Sequence, residues 1–370
     1  MCVCRSLCLW LLLPLATTAA QNPAPNFGEI AAQAAAAREV NDTSRAIELY
    51  TQALQLDPKW QDGWWSLGVL DYASNNYTDA IEAFSRLLTL KPDAREALAL
   101  RGLCEFKTRD YEPSLADIQK GLSLGAGTEA NNQDVLRYHQ AMLLTRLGEF
   151  QEALHSYSFF AVHRVTDPEL LIATALAGLH MPLLPEDTNP EQRPFLTAVG
   201  SAILEFMEGN GNDAEKAFDG VFQQFPAARN VHFLYGDLLF DLDPDAAIPQ
   251  FKRELEIAPD NADAAGMLAW SLLMKNRPGE ALPYARLMAE QQAERAFAQI
   301  VLGRALLDTG DASSGIEHLY RALKLEPENI EGHIALAKAY SKSGRDEEAR
   351  RERTLCLQMT KMNAVRFEHP

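Results

Sequence analysis

The side chains that could do chemistry are scattered and poorly assembled. No two of the eight histidines stand four apart, so the paired helical ligands of an H-E-x-x-H metalloprotease are missing. Cys104 and Cys356 are too few to hold zinc by themselves. Gly209-Asn210-Gly211 falls between two helical patterns with no strand before it, so it reads as a turn and not as a phosphate loop. Gly200-Ser201 lacks the G-x-S-x-G frame of a nucleophile elbow. Carboxylate pairs such as Glu347-Glu348 and Asp241/Asp243 sit at turns or helix starts, where they favour the helix dipole and stay solvated. The expectation is a protein without catalytic residues, metal or cofactor, and therefore not an enzyme. A net charge of −17 disfavours nucleic acid and anionic membrane as main partners, since both need a basic face.

The elements that position the remaining side chains begin after a distinct leader. Residues 1–20 carry one charge, Arg5, then an apolar run from Leu7, and end in Thr18-Ala19-Ala20. That order is a secretory signal. The run is shorter than the roughly 20 apolar residues a spanning helix needs. Cleavage near Ala20 is expected, with a short linker at 21–26; a retained membrane anchor is the alternative. The mature chain would then be periplasmic or extracellular, with no stable membrane insertion. Cys2, Cys4 and Cys8 leave with the leader, and Cys104 and Cys356 remain as buried free thiols in apolar helical contexts.

The rest of the chain repeats. Asp57-Pro58 and Lys91-Pro92 stand one period of about 34 residues apart, and Ala46, Tyr50 and Ala53 before the first match Ala80, Phe84 and Leu87 before the second. Trp64, Leu67 and Gly68 open a run with apolar residues at i, i+3 and i+4, the helical signal. Each unit reads as two amphipathic helices joined by a polar turn such as Ser74-Asn75-Asn76 and ended by a proline. Small residues such as Gly68 and Ala80 mark close helix crossings, and Tyr50, Phe84, Tyr157 and Phe218 fill the space to the next unit.

This pattern resembles the tetratricopeptide repeat (TPR) family, whose units read W-x2-L-G-x2-Y, A-x3-F and P. The unit at 61–94 fits best, with Trp64, Leu67, Gly68, Tyr77, Ala80, Phe84, Leu87 and Pro92. The resemblance implies an all-α, right-handed superhelical solenoid of about nine helix-turn-helix units, interrupted once. An N-terminal block of about four repeats is expected at 27–163, and a C-terminal block of about five at 195–359, followed by a tail at 360–370. Residues 164–194 break the period. Asp167-Pro168 starts a helix, and the prolines from Pro182 to Pro190 exclude one, giving a degenerate helix plus a Pro-rich loop.

The resemblance also implies an inner face lined by the first helix of each unit, where family members grip their ligands. The inward positions here are mostly apolar: Trp65, Val69 and Tyr72; Leu103 and Phe106; Tyr138 and Met142; Ile203 and Phe206; Phe233 and Phe240; and Trp270. Such a stripe does not suit a carboxylate clamp. It suits an amphipathic helix or an extended apolar peptide, unless the same side chains only pack the fold. The expected function is an exported protein–protein interaction scaffold or assembly factor with another protein as partner. A carrier or chaperone for apolar exported segments is the alternative, and an enzyme with an unrecognised site a second one.

Overall fold

Asn41, Asn75 and Arg109 turn the chain through left-handed backbone, with φ of 58°, 62° and 65°. Asn276, Gly310 and Gly344 do so again, at 55°, 102° and 69°. Within each trio the spacing is that of the sequence repeat, and asparagine and glycine are the residues that tolerate this conformation best. Each such residue follows the first helix of a unit and turns the chain into the second.

A computed structural model describes residues 26–128, 132–209 and 211–368, with side chains described to residue 361. The expected leader and most of the linker lie outside the described residues. Among the described residues there are nineteen α-helices and no strand. The helices stack largely in pairs within two compact units, residues up to Leu136 and from Arg137 onward.

The first unit pairs α1 (Phe27–Glu39) with α2 (Thr43–Leu56), α3 (Gln61–Ala73) with α4 (Tyr77–Leu90), and α5 (Arg95–Lys107) with α6 (Tyr111–Ser123). Asn26 accepts from the Glu29 backbone N–H at 3.0 Å while Glu29 reaches back, a capping box that starts the stack. Its cores run between helices. Ile30, Leu49, Tyr50, Leu54 and Leu67 form one; Phe84, Leu87, Leu88, Leu98 and Cys104 form the next. The close crossing expected at Gly68 is made against Phe84, whose ring edge would lie 2.6 Å from an added Cβ. Helix α7 (Gln133–Leu147) begins in this unit and continues past its boundary.

The second unit continues with α8 (Phe150–Val162), α9 (Pro168–Gly178), α10 (Arg193–Met207), α11 (Gly211–Gln224), α12 (Val231–Phe240) and α13 (Pro244–Ile257). It closes with α14 (Ala262–Met274), α15 (Pro278–Gln291), α16 (Ala296–Asp308), α17 (Ala312–Leu325), α18 (Ile330–Lys342) and α19 (Asp346–Glu368). The segment that breaks the period lies inside this unit. Asp167 caps α9 through the Glu169 and Leu170 N–H groups. Two short 3-10 turns, Pro185–Asp187 and Pro190–Gln192, follow it. Arg193 fastens them, donating to the Pro185 carbonyl at 3.2 Å and to Thr188 at 3.3 Å and pairing with Glu169. Helix α19 runs on beyond residue 359, because no proline or glycine interrupts it before Glu368.

Candidate docking site on the first unit

Helix α5 presents Glu96, Ala99, Leu100 and Leu103 on one side, the i, i+3, i+4 and i+7 positions that share a helical face. Helix α3 presents Trp65 and Tyr72 two turns apart. Together with Gly127 and Asn132 of the connection, and Val135 and Leu136 of the first turn of α7, they enclose a cavity of about 490 Å³. Ala99, Leu103 and Leu136 are buried at its floor, and Val135 stands 47% exposed at its mouth. The Trp65 ring leans on buried Phe84, with centroids 5.9 Å apart, and Tyr72 meets Tyr77 edge-on at 6.2 Å. The wall is therefore held by core side chains behind it.

This site has no nucleophile and base in register. Burial, with Cys104 and Tyr77 nearby, raises the Tyr72 hydroxyl, which stays a neutral donor. Behind the cavity, burial pushes the Cys104 thiol up to about 12, helped by Glu105 and Asp71, so it is protonated and unreactive. Burial also raises Asp71, a rise offset in part by the Asn76 amide at 3.3 Å. Glu105 is pushed up to about 7, first by burial and then by the Asp117 carboxylate. Among the described residues no group of three or more His, Cys, Asp or Glu is placed to hold a metal ion, and no helix is long and apolar enough to cross a membrane.

Of the inward residues read from the sequence, Trp65, Tyr72 and Leu103 meet in this cavity. Val69 is half-buried and packs on the Phe84 core. Phe106 is 6% exposed, lies edge-on to Tyr111 at 6.1 Å and is not among the residues that line the cavity. In the second unit the same repeat positions serve packing. Met142, Ile203 and Phe233 are buried. Tyr138 stands edge-on to Phe160 at 6.3 Å. Phe206 is half-buried, and Phe240 and Trp270 lie against the core around Phe251 and Leu268. The Arg304 guanidinium stacks 4.5 Å over Trp270 and pairs with Glu331 at 2.7 Å, so Trp270 is covered from within the chain. The lining residues missed from the sequence include Glu96, Leu100, Gly127, Asn132, Val135 and Leu136. Glu96 and Val135 lie in the first turns of α5 and α7 and hold the same position of the sequence repeat, so the repeat register carried a signal for both.

With this geometry in place, comparison with known proteins adds the following. Two family models, each described as Tetratricopeptide repeat, match the chain, one at residues 31–94, 66–127 and 242–296 and the other at 306–352, together more than half of its length. A curated relative, "Cellulose synthase 2 operon protein C" of Komagataeibacter xylinus, is 24% identical over 87% of this chain. The match spans about a quarter (27%) of that relative's length. Among solved structures, MamA from Desulfovibrio magneticus RS-1 is similar over 47% of this chain and 97% of its own, at 19% identity and a TM-score of 0.41. A MamA AMB-1 structure covers 44% of this chain and 96% of its own, at 24% identity and a TM-score of 0.37.

Proposed function

The chain belongs to the tetratricopeptide repeat family, and on that premise we propose that it is a protein-interaction scaffold whose partner docks an apolar segment into the cavity between α3, α5 and the start of α7. The observation that carries this reading is the cavity itself. It gathers Trp65, Tyr72, Leu103 and Val135 around a recess of about 490 Å³, whereas the corresponding side chains of the second unit are spent on packing. Aromatic and aliphatic side chains around a recess are the usual seat of an interface anchor.

The test is site-specific capture. A photo-crosslinking amino acid at Val135, at the cavity mouth, should trap a partner in the native host. The same group at Leu56, exposed on α2, should not. Equal trapping at both positions would remove the cavity from the account. We further propose that residues 1–20 direct export and are removed, so that the scaffold works outside the cytoplasm. N-terminal sequencing of the secreted or periplasmic protein should then begin at Gln21, and a chain starting at Met1 in a membrane fraction would contradict it.

A further inference from the structure

We propose that the partner segment lies extended across the first unit and carries a lysine or arginine beside its apolar anchor. This rests on the docking reading above and adds the conformation and charge of the occupant. Neither the Trp65 indole N–H nor the Tyr72 hydroxyl has a hydrogen-bond partner among the described residues, although both side chains are half-buried and line the cavity. A helical segment has already used its backbone carbonyls on itself. An extended segment brings one free carbonyl per residue, and the two donors stand where such carbonyls would pass.

The charge follows from a second recess, of about 430 Å³, which shares Trp65 and Glu96 with the first. Asp62 and Asp93 line it, and neither has an ion pair among the described residues. Glu96 is held by Arg95 at 2.8 Å, and the Lys91 ammonium has no ion pair among the described residues. Two free carboxylates against one ammonium favour an incoming cation. In an extended chain, side chains two residues apart share a face about 7 Å apart. An apolar anchor and a basic residue at that spacing can straddle Trp65 and fill both recesses.

The test uses labelled peptides against the purified full chain, read by fluorescence anisotropy. The first probe is a short peptide with a lysine two residues to either side of a phenylalanine; the second replaces the lysines by glutamates; the third is the lysine peptide stapled as a helix. The lysine peptide should bind about tenfold tighter than the glutamate peptide. The double variant Asp62→Asn with Asp93→Asn should bring the two to parity while circular dichroism is unchanged. The pair Trp65→Phe with Tyr72→Phe keeps an aromatic ring at each position and removes both donors, trimming the wall at Trp65. It should weaken the flexible lysine peptide several-fold more than the stapled one. A stapled peptide that binds as well as the flexible one overturns the extended reading. A glutamate peptide that binds as well as the lysine one overturns the charge. Failure of all three peptides removes both the docking reading and this proposal.

Discussion

Glu105→Gln should stabilise the protein at pH 8 and leave it nearly unchanged near pH 4.5. Glu105 is 7% exposed, and its Oε2 has no hydrogen-bond partner among the described residues. The nearest cation, Arg101, lies 3.7 Å from the other carboxylate oxygen. That guanidinium is already committed to Asp117, donating to both its oxygens at 2.5 and 2.9 Å. One cation therefore serves two carboxylates, and burial lifts Glu105 from 4.5 to about 7. The folded state keeps a proton that the unfolded chain releases between those values. Its contribution is fully present below about pH 4.5 and is lost as pH rises through 7. A displacement of that size corresponds to about 3 kcal/mol between the two limits, an upper figure for one site. Glutamine mimics the protonated acid, so the variant should lose this slope. The assay is urea unfolding followed by tryptophan fluorescence, since Trp60, Trp64 and Trp65 all report on the first unit. A variant less stable than the parent at pH 8 would refute the reasoning, because the Arg101–Glu105 attraction would then outweigh burial.

Other substitutions test the packing. Gly200→Ala would set a Cβ 1.9 Å from the Leu171 carbonyl oxygen, where α9 crosses α10. Backbone cannot yield there as a side chain can, so a cost of about 3 kcal/mol is expected in thermal or urea unfolding; an unchanged midpoint would contradict the crossing. Glu254→Ala removes the buried carboxylate that accepts from the Asn230 N–H at 2.7 Å and the Phe233 N–H at 3.3 Å, ahead of and within the first turn of α12. Orphaning those donors should cost about 1–3 kcal/mol, with loss of hydrogen-exchange protection concentrated in α12. Ala80→Phe overfills a fully buried position on α4 and should cost about 1–3 kcal/mol.

The helix pairs were legible because the repeat fixes both period and turn. Gly68, Phe84 and the Asp167-Pro168 start are local signals that the structure uses as the residue types suggest. The candidate site was legible only in part. Trp65 and Phe106 look alike in the repeat pattern, yet one lines a cavity and the other is enclosed beside Tyr111. That difference is set by neighbouring helices, which helical periodicity does not encode. Trp270 is similar: its cover, Arg304, comes from the next helix pair, and no spacing rule announces the stacking. The four bonds that fasten Glu105, Arg101, Asp117 and Ser85 into one network also join residues from three helices, so charge counts along the chain could not locate it.

The central claim is that the cavity between α3, α5 and α7 receives the partner, and Val135→Glu tests it most directly. Val135 stands half-exposed at the mouth, so a carboxylate there should block an apolar segment without disturbing the core. Affinity for the partner trapped at Val135 should be measured for the parent, for Val135→Glu and for the distant control Leu56→Glu. The account predicts at least about tenfold weaker binding for Val135→Glu alone, with all thermal midpoints alike. Parent-like affinity in a natively folded Val135→Glu protein would contradict it.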